Sequence, residues 1–420
     1  MNATTDRTYI RCNGRSDRYI LVRIQAPAST RTSTRDPLAA AFVLDRSGSM
    51  SGPKLAHARD AIASAIGSLA EADRFAVVAF DHGVETVMPR TAADGPGREA
   101  GRQAVARIAA GGNTNLYEGW LRGAEQLAQG MEPGMIQRVL LLTDGHANVG
   151  VTDHDELART AAGLRDRGIT TWALGFGDGY DEALLDAIVT AGGGQALDVA
   201  DPDRIPAAVA GAVGEALDVV AREVTLTAHV GRDLVVEPLS RFRPMSTGER
   251  TTVLLGELVS EQVLEVVLRV NFPYGRLGER QVVVLELASA DGTMNARIAL
   301  PDFIYADTAT NDHQVRDRVV DRTVARIYAA RARKGAVGTN RRGDYRSAVG
   351  EIERTAARIR QYAGDDRELN AIADELDAER VMWSTPRMES DLKRAYSVAS
   401  MVEVDRTNDG WARRTVDPDA

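Results

Sequence analysis

The sequence predicts an α/β fold: a doubly wound, mainly parallel sheet inserted in an antiparallel β-sandwich, followed by a C-terminal helical segment. Three patterns carry that expectation. Apolar runs alternate with amphipathic helical stretches between residues 36 and 220. Short alternating strand patterns stand on both sides of that block, and from Asp312 onward the apolar period becomes helical. At about 150 residues per domain, 420 residues leave room for two or three such units.

In chain order, Thr8–Cys12 and Arg18–Gln25 alternate like strands, with Asn13-Gly14 between them as a turn signal. In the central block, Leu38–Leu44, Arg74–Phe80, Arg138–Leu142 and Thr170–Leu174 suit buried strands, and Gln195–Val199 is a weaker one. Helical stretches lie between them at Pro53–Ala70, Arg98–Ala109, Tyr117–Ala128, Asp155–Arg167, Asp181–Thr190 and Pro202–Val219. Strands flanked by helices of this length imply parallel crossovers with both sheet faces covered. Pro53 early in the first helix and Asp153 before Glu156 are start signals.

Beyond that block, Glu223–Val230, Leu234–Pro238, Thr251–Leu258, Val263–Phe272, Arg280–Ser289 and Asn295–Ala299 are strand-like. Their spacing suggests a sandwich over 221–304, and residues 1–35 are expected to join it, which makes 36–220 an insertion. In the helical segment, 311–404, Val315, Val319, Val324 and Ile327 share one face. Val349, Ile352, Ala356 and Ile359 share a second, and Leu369, Ile372 and Leu376 a third. Lys334–Asp344 reads as a Gly- and Arg-rich linker, and 405–420 as a disordered tail with acidic character from Trp411 to Ala420.

Charge narrows the function classes. The chain has 51 basic and 60 acidic side chains, a net charge of −9, which argues against nucleic-acid binding through general basicity. Its one cysteine, Cys12, excludes an internal disulfide framework and a cysteine-rich zinc module. Only Lys54, Lys334 and Lys393 are lysines, so 51 − 3 = 48 basic residues are arginine, which reads as the codon bias of a GC-rich genome. Residues 1–17 lack the apolar core of a secretory leader, and Ile205–Ala221 is broken by Glu215 and Asp218. A cytoplasmic protein without a membrane span is the expectation.

The chemistry concentrates in three segments. Asp45-Arg46-Ser47-Gly48-Ser49-Met50 follows the apolar run Ala39–Leu44, placing one carboxylate and two hydroxyls on a tight loop at a strand's carboxyl end. In open α/β sheets, ligands bind there. Gly111-Gly112-Asn113-Thr114-Asn115 precedes a helix, and Thr143-Asp144-Gly145 ends the strand begun at Arg138. Asp45, Ser47, Ser49, Thr114 and Asp144 together form an all-oxygen set with two negative charges, which suits Mg²⁺ or Mn²⁺ and not zinc or copper.

These residues resemble the metal-ion-dependent adhesion site of the von Willebrand factor A domain: Asp-x-Ser-x-Ser, a Gly-Gly-x-Thr loop and Thr-Asp-Gly. Ala39–Met50, Asp73–Asp81, Gly111–Gly119, Val139–Gly150 and Gly168–Gly177 are similar to bacterial members in order and spacing. The resemblance implies that Asp45, Ser47, Ser49, Thr114 and Asp144 bind the metal, some directly and some through water. It further implies a partner protein that presents an Asp or Glu to the ion, and therefore a binding module rather than an enzyme. Two other functions stay open. One is an adaptor for an AAA+ ATPase or other cytoplasmic assembly, docking through the helical tail; the other is a metal-dependent phosphoryl hydrolase.

The weaker signals read as structure. Gly175-Phe176-Gly177-Asp178-Gly179 lacks the last glycine of a dinucleotide fingerprint and reads as a turn. His146 reads as a solvated loop residue, and Arg342-Gly343-Asp344 as a connector. Ser47 stands where haloacid-dehalogenase-type enzymes have their second aspartate, and no serine elbow is evident.

Overall fold

The computed structural model describes residues 1–29, 36–177, 179–199, 201–404 and 406–407. The chain divides into two compact units, one built of residues 28–220 and the other of residues 1–27 and the described residues from 221 onward. The first three strands, β1 (Asn2–Thr5), β2 (Tyr9–Arg11) and β3 (Ser16–Gln25), belong to the second of these.

In the α/β unit, β4 (Leu38–Asp45) leads to α1 (Pro53–Ser68), β5 (Arg74–Phe80), β6 (Val84–Ala92), α2 (Gly95–Ala106) and α3 (Leu116–Ala128). Then follow β7 (Ile136–Thr143), α4 (His154–Arg165), β8 (Ile169–Phe176), α5 (Glu182–Ala191), β9 (Ala196–Val199) and α6 (Ile205–Leu217). The sheet order is β6-β5-β4-β7-β8-β9, parallel except for β6, which runs antiparallel to β5. Sequence reading misses β6 because Glu85 and Pro89 interrupt its pattern and an edge strand stays half-exposed.

Alternation along β4 divides the core. Leu38, Ala40, Phe42 and Leu44 pack with α1 and α6, while Ala39, Ala41 and Val43 pack with α3, α4 and α5. Every residue of β4, β7 and β8 is buried, so these strands read as continuous apolar runs. The approach of α3 to the sheet is close: a Cβ on Gly123 would lie 2.3 Å from Val43 Cγ2. Only glycine lets the helix sit there.

The second unit continues with β10 (Val219–His229), β11 (Val235–Pro238), β12 (Pro244–Thr247), β13 (Arg250–Val259), β14 (Val263–Phe272) and β15 (Arg280–Gln281). Next come β16 (Val284–Ala288), β17 (Asn295–Ala299), β18 (Phe303–Ala306), and α7 (Thr308–His313). One antiparallel sheet is ordered β1-β3-β14-β11 and another β12-β13-β10-β16-β17; a small third is β15-β18-β2. Strand β3 pairs with β14 from Ser16↔Phe272 to Gln25↔Val263. The chain does turn at Cys12-Asn13, but β2 and β3 do not form a hairpin: β2 pairs in parallel with β18, while β3 joins β1 and β14. Long-range pairing decides between these strands, and a local turn signal cannot.

Four long helices follow: α8 (Arg318–Arg341), α9 (Tyr345–Ala363), α10 (Arg367–Trp383) and α11 (Glu389–Val404). Asp317 caps α8 through Val319 N and Val320 N, so the helix begins after Val315, which is 92% exposed. Its packed face is Val320, Val324 and Ile327 against Tyr19, Leu21 and Val267; of the expected face Val324 and Ile327 pack there, while Val315 and Val319 are exposed. Most of the expected linker Lys334–Asp344 is helical, because α8 continues to Arg341. In the tripeptide Arg342-Gly343-Asp344, Gly343 takes φ 76° and Asp344 caps α9 by accepting from Ser347 N at 3.1 Å. Ile352, Ala356 and Ile359 meet Leu369, Ile372 and Leu376 as expected, with Val349 at the margin. Within the expected tail, Arg406–Thr407 forms β19 on β14, and the remainder lies outside the described residues.

Ile20 is fully buried in the β3 ladder. Ile20→Asp places an unpaired carboxylate there, and the expected cost is several kcal/mol. Circular dichroism melting should show a large loss of stability, and a variant melting with wild type would contradict this register.

Candidate metal centre

Parallel pairing places the site. Leu44 on β4 stands opposite Leu142 on β7, so Asp45 lies beside Thr143 at the carboxyl edge of the sheet, and Asp144 follows at once. Thr143 Oγ1 donates to Asp45 Oδ2 at 2.6 Å, and Ser47 N donates to Asp45 Oδ1 at 2.8 Å. Past Ser47 the chain makes one tight turn of 3₁₀ helix, Gly48–Met50, which brings Ser49 back over the strand end. Ser49 Oγ donates to Asp144 Oδ1 at 2.7 Å and lies 3.1 Å from Ser47 Oγ.

Backbone bonds lock the Thr114 loop to these two. Gly48 N donates to Gly112 O at 3.0 Å, Gly111 N to Arg46 O at 2.6 Å, and Asn115 N to Asp81 O at 2.7 Å. Thr114 N donates to Asn148 Oδ1 at 2.9 Å, while Asn148 N and Val149 N donate to Thr114 O. The Thr114 hydroxyl makes no hydrogen bond among the described residues, although the residue is only 3% exposed.

All five candidate residues therefore meet in one place. A Cβ on Gly145 would lie 3.0 Å from Thr114 Oγ1 and 3.6 Å from both Asp45 Oδ2 and Ser49 Oγ. That glycine leaves open a small cradle walled by oxygens from three loops. The donor set, two carboxylates and three hydroxyls with no nitrogen or sulfur, fits a small hard cation by its chemistry. Among the described residues no group of three or more His, Cys, Asp or Glu could hold a metal. The cradle at Gly145 is instead built of two carboxylates and three hydroxyls.

Electrostatics point the same way. Asp45 and Asp144 are both fully buried. Burial pushes the Asp45 carboxyl up to about 6, and the Asp144 charge adds to this while bonds from Thr143 and Ser47 oppose it. Asp144 has a counter-charge that sequence reading misses: Lys54 Nζ, from the first turn of α1, contacts its Oδ2. The signal available was the rarity of lysine, three residues in a chain rich in arginine. Two carboxylates and one ammonium leave the site at −1.

The weaker candidates stay apart from this geometry. His146 is exposed on the loop after Asp144. At Gly175 a Cβ would run into the Tyr180 ring at 2.4 Å, and Gly177 takes φ 64°, so these glycines serve a close turn. Asp178, which follows Gly177, lies outside the described residues.

Asp45 has a pH signature. It gains its proton near pH 6 in the folded chain and near 3.8 when unfolded, so the folded chain holds more protons between those values. The contribution of Asp45 to stability in EDTA is therefore greatest below about pH 4 and is lost as pH rises from there to about 6, by about 3 kcal/mol in total. Melts of wild type and Asp45→Asn across pH 4 to 7 isolate this contribution, because the amide lacks it. Identical pH slopes in the two proteins would contradict it.

Known proteins agree with this architecture. The family model of the von Willebrand factor type A domain matches residues 41–210. An uncharacterized protein of Synechocystis sp. is 32% identical over 189 residues, 45% of this chain and 44% of that one. Inter-alpha-trypsin inhibitor heavy chain H1 of Mesocricetus auratus is 31% identical over 156 residues, 35% of this chain and 17% of that one. The chain thus spans less than half the length of either relative. Among solved structures, a von Willebrand factor type A protein from Catenulispora acidiphila gives a TM-score of 0.71 at 18% identity, covering 97% of each chain. The ArnB paralog VWA2 from Sulfolobus acidocaldarius gives 0.60 at 16% identity, covering 96% of this chain and 98% of that one. At such identities the likeness is one of fold. Residues 41–210, the stretch that the family model matches, have the doubly wound α/β fold of the von Willebrand factor type A domain.

Proposed function

We propose that this domain is a metal-dependent protein-binding module, in which Asp45, Ser47, Ser49, Thr114 and Asp144 hold Mg²⁺ or Mn²⁺. The observation that carries this reading is the oxygen cradle at Gly145, where hydroxyls and carboxylates from three loops converge. Domains of this type commonly mediate metal-dependent protein interactions. When bound, the ion supplies charge and directional coordination for an Asp or Glu carboxylate presented by a partner.

The protein's own groups divide the work. Asp45 and Asp144 attract the cation, and their burial leaves little water to compete with it. Ser47, Ser49 and Thr114 add donors without adding charge. A site at −1 becomes +1 with a divalent ion, which favours an anionic partner. A third carboxylate in the site would cancel that attraction. Lys54 holds Asp144 Oδ2 when no ion competes, so metal entry loosens that pair.

Two measurements test this. Metal that binds only the folded chain stabilises it by about 2.7 kcal/mol at a hundredfold excess over Kd. Melts in Mg²⁺ and in EDTA should differ for wild type and coincide for Asp45→Ala, and the same metal response in both would sink the assignment. Lys54→Met removes a competing cation and should tighten Mg²⁺ binding several-fold while lowering the melting temperature in EDTA. Unchanged affinity would remove Lys54 from the site.

Partner capture is the second measurement, by pull-down in Mg²⁺ and in EDTA with mass spectrometry. Thr114→Ala and Asp144→Ala should each weaken the captured partner at least tenfold, about 1.4 kcal/mol. Thr114→Ala should melt like wild type in EDTA, since the bonds fixing its loop are backbone ones. A partner held equally by wild type and both variants, with or without metal, would place recognition on another surface.

A further inference from the structure

The unit built of residues 1–27 and 221 onward contains a cavity of about 750 Å³, walled by the start of β3, by α7, and by α8 and α9. Seven arginines and three carboxylates line it, an excess of four positive charges in a chain whose net charge is −9. Such a concentration does not follow from composition, which spreads arginine along the whole sequence.

Part of this charge is neutralised. Arg11 forms a fork on Asp312 at 2.8 and 2.9 Å, Arg316 pairs with Asp321, and Arg7 pairs with Asp6. The rest is not. Arg15, Arg354 and Arg358 have no carboxylate within ion-pair distance among the described residues, and all three are exposed to the cavity's solvent. Arg18, at its floor, is 2% exposed and is held by the carbonyls of Tyr9 and Asp17 and by Asn311 Oδ1, again without a carboxylate. Of the two other lining carboxylates, Asp17 accepts from Asn271 Nδ2 at 2.9 Å, and Glu351 lies against Gly335 and near Arg354 without reaching ion-pair distance.

The aromatic residues restrict the ligand further. Arg358 covers the Tyr328 ring at 5.0 Å and Arg316 covers the Tyr362 ring at 4.8 Å. The hydroxyls of Tyr19 and Tyr328 bond each other at 2.9 Å. With these ring faces taken by guanidinium groups, the cavity offers recognition by charge and not by stacking. We propose that this cavity binds a multivalent phosphate ligand, a small molecule held by a run of phosphate groups between Arg15, Arg18, Arg354 and Arg358. Planar guanidinium forks match phosphate oxygens two at a time, and the volume exceeds what a single phosphate fills.

Isothermal titration with inorganic triphosphate, at about 0.1 M salt and in EDTA, tests this. Saturable binding is expected, at least tenfold tighter than for orthophosphate at equal ionic strength. Arg354→Gln with Arg358→Gln should weaken it at least tenfold without moving the melting temperature, and Arg354→Gln alone should give part of the loss. ATP should bind no more than a few-fold tighter than triphosphate, and Asp45→Ala should bind like wild type. No saturation by wild type, equal binding by the arginine variants, or loss of binding in Asp45→Ala would each overturn the assignment. ATP binding tenfold or more above triphosphate would overturn recognition by charge alone.

Discussion

The parallel pairing of β4 with β7 is the constraint on which the candidate metal centre depends. Both strands are buried on both faces, so their register follows from packing as well as hydrogen bonds. Because Leu44 faces Leu142, two chains end together and deliver Asp45 and Asp144 to one edge of the sheet. Had the register slipped by one residue, the core alternation along β4 would invert and the two carboxylates would separate.

That arrangement creates an electrostatic cost which the surrounding residues answer. Two buried carboxylates a few ångströms apart disfavour each other's charge, and burial already pushes Asp45 upward. Thr143 and Ser47 donate to Asp45, Ser49 donates to Asp144, and Lys54 contacts Asp144 from α1. Every one of these groups stabilises negative charge, yet the site remains at −1 and the Thr114 hydroxyl is left without a partner among the described residues. A cation of small radius suits the residual charge, and the donor chemistry supports the same functional reading.

In the other unit the long-range ladder between β3 and β14 does comparable work. It brings Arg18 and Tyr19, near the start of the chain, next to helices that begin three hundred residues later. Tyr19 and Leu21 face Val320, Val324 and Ile327, while Arg18 points into the cavity floor. The start of the strand therefore serves both roles, since Tyr19 packs against α8 and also borders the cavity that Arg18 floors.

The amino-acid sequence by itself determined the α/β class, the main strands of the central sheet and the five oxygen-bearing residues proposed as metal ligands. Those features are local: an apolar run buried on both faces, a glycine-rich loop and oxygen side chains next to a strand end are each legible within a dozen residues. Edge strand β6 was not legible, since half-exposure blurs its period, and the face of α8 was legible only in part, since Val315 precedes the cap that starts the helix. Tertiary structure alone decided that Lys54 meets Asp144, that β2 leaves β3 for β18, and that arginines otherwise read as codon bias gather around one cavity. Each of these joins residues far apart in the chain, and no periodicity or motif spacing encodes which distant partner a side chain or an edge will meet.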